Sequence, residues 1–219
     1  MYKLRLLKNI NYNGYRTVAS FLILSYCHYR KNKNTNNNIL FCSSKNEVEK
    51  IWCLLEHIEN QTEEMCKISV QEDGYQIRYV KKQTPEICKL AVQHAGYALV
   101  HVKYQTDEIC KLAVQNDGCA LQYVKNQTEE ICKLAVQQNG IALKYAYYKS
   151  EKIFKLAVQQ TEKALTYIDA KYQTEEICKL AIQKNWQALY FVKNQTEEIC
   201  KFAVKCNIKA LRYCDGKYL

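Results

Sequence analysis

Twelve cysteines are the first residues that could do chemistry in this 219-residue chain. Six recur at one position of a repeating pattern: Cys66, Cys88, Cys110, Cys132, Cys178 and Cys200. A thiol column could serve metal, redox or disulfide chemistry, and each use demands a particular spacing. No Cys-x-x-Cys pair occurs. Successive members of the column stand a whole unit apart, roughly 9 Å if the units stack, which is beyond disulfide reach. Phe154 fills the same position in one unit. A position that accepts Phe is a packing position, and free cysteine is among the most buried residue types. The column is therefore read as structural. One loose cluster has zinc-like residues, Cys27, His28, Cys42, Cys53 and His57, but Trp52, Leu54 and Leu55 interleave it and favour core packing. No metal or other cofactor is expected, and so many unpaired thiols point to a reducing compartment.

A second column is cationic. Lys67, Lys89, Lys111, Lys133, Lys155, Lys179 and Lys201 each follow the cysteine position, and Gln71, Gln93, Gln115, Gln137, Gln159 and Gln183 stand four residues on. Together they make a polar ribbon, the candidate interaction surface of the chain. In six of seven units an acid precedes the lysine by four residues, the favourable order for helical pairing. The ribbon is thus expected to be largely self-neutralised, which blunts any attraction for phosphate. A third column, Tyr79, Tyr123, Tyr145, Tyr167 and Tyr213 with His101 and Phe191 in register, could stack bases. It lies beside Leu and Val, so core packing is the expectation. No nucleophile motif, phosphate loop, zincin helix or paired catalytic carboxylates occur, and the chain is not expected to be an enzyme.

The elements that position these columns follow from the period. Units begin at Thr62, Thr84, Thr106, Thr128, Ser150, Thr174 and Thr196, 22 residues apart except for the 24 between Ser150 and Thr174. A fixed period in this range marks a stacked repeat. Each opening Thr or Ser suits a helix N-cap, and the acids after it suit the positive end of the helix dipole. Gly74, Gly96, Gly118 and Gly140, twelve residues on, are expected to stop the helix as left-handed C-terminal caps. A short second helix then carries Ala-Leu-x-Tyr-Val, as at Ala120 to Val124. In the Thr128 unit Ile131, Cys132, Leu134, Ala135 and Val136 sweep an apolar arc of about 200°, wide enough to be sandwiched between neighbours. A leucine-rich repeat shares the period but needs a Leu-x-x-Leu-x-Leu strand that no unit contains. The expected fold is all-α, an α-solenoid of about seven 22-residue helical hairpins with a degenerate N-terminal cap unit.

Domain organisation follows composition. Residues 1–43 read as a basic arm, 44–61 as the degenerate capping unit and 62–219 as the repeat array. The formal net charge is +10, and residues 1–46 supply eight Lys or Arg with no acid. The rest carries 24 basic and 22 acidic residues, so the basic balance belongs to the arm. Within the arm, Val18 to Cys27 is an apolar run too short to span a bilayer as a helix. A buried capping helix is the favoured reading, with a secretory signal and a membrane-surface helix as alternatives. Asn32 to Asn38 is a polar, low-complexity linker.

The unit Thr-Glu-Glu-Ile-Cys-Lys-Leu-Ala-Val-Gln-x-Asn-Gly-x-Ala-Leu-x-Tyr-Val resembles the domain of unknown function 4116 repeat over about residues 62–217. The Ser150 unit departs most, with Phe154 for Cys and Glu162 for Gly. That family occurs in amoeba-infecting giant DNA viruses of the mimivirus kind and in some bacteria. The resemblance implies a viral protein acting in the host cytoplasm or in the virion, and it transfers no activity and no functional residues. The expected function is a non-enzymatic, monomeric scaffold for protein–protein interaction, with a host protein among the candidate partners. The alternative is nucleic-acid association through the basic arm only. No membrane span is expected.

Overall fold

The computed structural model describes residues 55–56 and 58–216. The chain divides into two compact units, residues 1–69 and 70–219. The basic arm, its apolar run, the Asn-rich linker and the Cys27–His28–Cys42–Cys53–His57 cluster lie outside the described residues.

Among the described residues the chain is all helical, and one motif repeats seven times. A ten-residue α-helix is followed by a six-residue 3-10 helix, beginning with Glu63–Glu72 and Gly74–Tyr79. The next α-helices are Pro85–His94, Asp107–Asn116, Glu129–Gln138, Glu151–Gln160, Glu175–Lys184 and Glu197–Cys206. Their 3-10 partners are Gly96–His101, Gly118–Tyr123, Gly140–Tyr145, Glu162–Tyr167, Trp186–Phe191 and Ile208–Tyr213. Within residues 70–216 each α-helix packs on the α-helix of the next unit, and each 3-10 helix on the next 3-10 helix. The result is a two-layer α-solenoid, with the α-helix of one unit also wedged against the 3-10 helix of the unit before it.

The α-helices start as their sequences require. Thr84, Thr106, Thr128, Ser150, Thr174 and Thr196 are extended, and each side-chain oxygen accepts from the backbone N–H three residues on. The buried arc is narrower than the sequence suggested. Ile131, Cys132, Ala135 and Val136 are buried while Leu134 is half-buried, an arc of about 140° at 100° per residue.

The helix end differs from expectation. No glycine among the described residues has positive φ, so the left-handed caps expected at Gly74, Gly96, Gly118 and Gly140 do not form. The residue before the glycine ends the helix instead. Asp117 is extended (φ −142°, ψ 113°) and donates its N–H to the Ala113 carbonyl at 2.9 Å. Its carboxylate then accepts from the Cys119 N–H at 2.9 Å, so one residue closes the α-helix and opens the 3-10 helix. Glycine is needed for space. A Cβ on Gly118 would lie 2.3 Å from the Ala135 carbonyl of the next unit, and one on Gly96 would lie 2.5 Å from the Ala113 carbonyl. The second element is a 3-10 helix because three residues per turn align Gly118, Leu121 and Val124 on one buried face.

A glutamine just before each capping Thr joins consecutive units. Gln105 Nε2 donates to the Tyr123 carbonyl of the next unit at 2.9 Å and to the Leu99 carbonyl of its own at 3.4 Å. Its Oε1 accepts from the Lys125 N–H at 3.0 Å and from the Cys110 thiol at 3.8 Å. Gln83, Gln127, Gln173 and Gln195 reach the corresponding carbonyl and N–H 18 and 20 residues ahead. The exception is Lys149, which is exposed. The 24-residue spacing follows it, and its extra residues form a 3-10 turn at Ala170–Tyr172.

Two tests follow from these contacts. Gln127→Ala removes the partners of the Tyr145 carbonyl and the Tyr147 N–H and should cost about 2 kcal/mol or more in denaturant unfolding. Gln115→Ala, in the exposed glutamine column, should stay within about 0.5 kcal/mol. Gly118→Ala should cost about 1–3 kcal/mol by forcing two helices apart, whereas Gly216→Ala, with nothing within 4 Å, should change little.

Candidate functional site

The lysine column lies on the α-layer, and it is paired. Lys111 Nζ is 2.8 Å from Asp107 in its own helix and 2.7 Å from Glu130 in the next unit. Lys155 is 2.9 Å from Glu151 and 2.8 Å from Glu176, repeating the pattern. Lys89 has Pro85 where the helical acid would stand and pairs only with Glu108 of the next unit, at 2.7 Å. Lys133 meets Glu129 at 2.8 Å, Lys201 meets Glu197 at 2.7 Å, and Lys179 pairs with Glu175. In the first compact unit Lys67 lies 3.0 Å from Glu63. The lysines of α-helices 85–94, 107–116 and 151–160 thus tie neighbouring units, and those of the latter two also neutralise their own helices. Beside them runs a stripe of half-buried apolar side chains, Leu90, Leu112, Leu134, Leu156 and Leu180.

The cysteine column is buried, with Cys66, Cys88, Cys110, Cys132, Cys178 and Cys200 each at most 3% exposed and none in a disulfide. Burial pushes the Cys110, Cys178 and Cys200 thiols up to about 11, with nearby carboxylates adding to the effect. A neutral, enclosed thiol is a poor nucleophile and a poor metal ligand. Most of the column thiols point at the clamp glutamine, as Cys132 does at 3.3 Å from Gln127 Oε1. Among the described residues no group of three or more His, Cys, Asp or Glu is placed to hold a metal.

The tyrosine column is not core. Tyr79, His101, Tyr123, Tyr145, Tyr167, Phe191 and Tyr213 are all half-buried, because the 3-10 helix turns its eclipsed face to Leu and Val and leaves these rings at the rim. His101, Tyr123 and Tyr213 meet rings of the preceding unit edge-on or tilted, as Tyr97 meets Tyr123 at 5.6 Å between centroids and Trp186 meets Tyr213 at 5.8 Å. The connector between the layers exposes further rings: Tyr104 is 82% exposed and Tyr147 76%.

The clamp glutamines and the residues two before the glycines were missed in the sequence reading. His94 Nδ1, Asn116 Oδ1 and Gln138 Oε1 each accept the N–H of the preceding unit's glycine, at 3.1, 2.7 and 2.7 Å. The only sequence signal was recurrence itself, since Gln61, Gln83, Gln105, Gln127, Gln173 and Gln195 hold one register. Gln next to a helix cap otherwise reads as an exposed polar residue.

Thiol burial gives a measurable pH dependence. Raised folded-state values mean that the stability from protonated thiols is complete below pH 9, where unfolded cysteine titrates. It is lost as pH rises through about 11, so the unfolding midpoint should fall across that window. At neutral pH the exposed Cys206 should alkylate quickly and the six column thiols only on unfolding. Cys110→Ala should cost about 1 kcal/mol through a small cavity, while Cys110→Asp should open its own and adjoining units by burying a charge.

No helix among the described residues is long and apolar enough to cross a membrane. Comparison with the curated proteins and with the solved structures gave no match. The family model described as Domain of unknown function (DUF4116) matches residues 106–149, which are two consecutive units from cap to cap. Those units share their helix, cap, clamp and cysteine positions with most others in the chain, and the protein is a DUF4116-like repeat protein.

Proposed function

We propose that the chain is a non-enzymatic helical-repeat scaffold that mediates protein–protein interaction through its α-layer. The observation that carries this reading is the half-buried leucine stripe running beside a self-neutralised ion-pair ladder. A surface with partly exposed apolar groups and balanced charge suits a protein partner, whose interface core excludes unpaired charge. Shallow relief supports the same view: the depression lined by Glu151, Lys155, Leu156 and Gln159 is open and offers no enclosed reaction chamber. The free, buried thiols support a reducing setting, and with the family likeness they support a giant-virus protein acting as a monomer in the host cytoplasm or the virion.

The test is affinity capture with the full chain, followed by competition with Leu112→Glu/Leu156→Glu and Lys111→Glu/Lys155→Glu variants. A stoichiometric protein partner whose affinity falls at least tenfold in both variants is expected. Turnover on a broad substrate panel would refute the non-enzymatic reading. A second reading, nucleic-acid binding through the arm, rests on its eight basic residues without an acid. Binding of DNA or RNA by the full chain but not by residues 43–219 across a salt series would support it, and equal binding by both would exclude the arm as the site.

A further inference from the structure

The charge of the array is sorted between its layers. The six α-helical segments, residues 84–95, 106–117, 128–139, 150–161, 174–185 and 196–207, hold nine Lys or Arg against eleven Asp or Glu. The segments that carry the 3-10 helices and connectors, 74–83, 96–105, 118–127, 140–149, 162–173, 186–195 and 208–216, hold twelve against three. Ten of those twelve cations are lysine. The near-neutral total of the array therefore conceals a strongly basic side.

Stacking turns that bias into a rail. Except ahead of Lys149, the clamp glutamines fix each connector against the next, through bonds such as Lys103 N–H to Gln83 and Lys125 N–H to Gln105, at 2.9 and 3.0 Å. Lys125 Nζ reaches back to the Lys103 carbonyl at 3.3 Å, and Lys193 Nζ to the Ile168 carbonyl at 2.8 Å. Among the described residues no carboxylate pairs with Lys103, Lys125, Lys171 or Lys193, in contrast to the lysine column of the α-layer. Aromatic rings are interleaved on the same edge: Tyr104 and Tyr147 project freely, Tyr148 is 49% exposed and Tyr172 is 42% exposed. A groove between adjacent connectors is lined by Lys103, Tyr104, Lys125 and Asn126.

We propose that this connector edge binds single-stranded nucleic acid, with the lysine rail on phosphates and the exposed tyrosines stacking on bases. Point-charge lysines combined with accessible rings are the pairing that single strands require, because every base has a face to stack and a duplex hides it. An acidic protein segment would favour the forked donors of arginine. One connector per unit, about 8–10 Å apart, with Lys103, Lys125, Lys171 and Lys193 in one register, also matches the unit-by-unit reading used by helical repeats that bind single-stranded RNA. The site uses connector residues of the array and none of the α-layer lysine column.

The experiment is fluorescence anisotropy of the full chain with a labelled 20-nucleotide poly(U) RNA between 50 and 200 mM salt. Four proteins are compared, each shown by circular dichroism to be folded. The edge variant is Lys103→Glu/Lys125→Glu/Lys193→Glu, and the control is Lys152→Glu/Lys184→Glu/Lys205→Glu on the α-layer, with the same change in net charge and the same arm. The edge variant should lose at least a hundredfold in affinity and flatten the salt slope by about 2, that is about 0.7 per lost phosphate contact. The control should lose less than fivefold. Tyr104→Ala/Tyr148→Ala should lose at least tenfold with its salt slope unchanged, and a duplex of the same length should bind more weakly than the single strand. Equal losses in the two lysine variants, or no binding by the unaltered chain, would overturn the proposal. So would poly-glutamate binding as tightly as the RNA, which would mark the edge as a site for acidic protein.

Discussion

A buried or half-buried glutamine between consecutive units sets the geometry of the array, at every junction from Gln83 on except Lys149. Its amide has a donor and an acceptor end, and the connector ahead of it presents a carbonyl and an N–H two residues apart. Both ends are satisfied only when the next unit arrives with those groups 18 and 20 residues along the chain. Leaving either unpaired in the interior costs as much as a lost hydrogen bond, so the amide imposes a register as well as an attraction. The glycine contact imposes a second constraint on the same interface, because the next helix's carbonyl stands where a Cβ would be. Together they explain why the repeat length scarcely varies.

The Ser150 unit shows what happens when the constraint is lifted. Lys149 replaces the clamp glutamine, and Phe154 replaces the cysteine whose thiol would have met it. Both members of the pair are gone, and the connector ahead has no amide to match. That connector carries the two-residue insertion, folded as a 3-10 turn whose Tyr172 ring lies 5.7 Å from the Phe154 ring. The following unit restores the register at once, with Gln173 bonded to the Phe191 carbonyl and the Lys193 N–H. Stability in such arrays is a sum of units and nearest-neighbour interfaces, so one relaxed interface leaves the others intact.

The same interfaces decide which chemistry the molecule retains. The column thiols are enclosed and held protonated, and the column lysines of the α-layer are matched with acids within or between units. Most groups that could react are thereby occupied in holding the stack together. On the connector edge Lys103, Lys125, Lys171 and Lys193 are left without a carboxylate partner among the described residues, and Tyr104, Tyr147, Tyr148 and Tyr172 are exposed on the same edge. Burial and pairing thus separate a chemically quiet core from two surfaces of different character, one balanced and partly apolar, the other cationic and aromatic.

How much of this was legible in the sequence depends on the range of the interaction. Helix starts were written locally, since a Thr, its acidic neighbours and an apolar stripe meet within one turn, and the expected caps formed at each unit from Thr84 on. The cysteine column was placed correctly because a position shared with Phe154 has to be apolar. The lysine pairing was half legible: the helical partner Asp107 of Lys111 stands four residues away, but Glu130 stands 19 away and meets it only after stacking. Gly118 was misread as a left-handed cap because its reason lies in the next unit, at the Ala135 carbonyl. Tyr123 was assigned to the core because a composition of Leu, Tyr and Val does not say that a 3-10 helix, turning every three residues, puts the ring at the rim. Sequence by itself determined the period, which shows as recurrence, and the helix starts and apolar stripes, which arise from contacts a few residues apart. Only the tertiary structure decided how units lock and where charge is left exposed, because both depend on groups 18 or more residues apart that stacking brings within hydrogen-bond distance.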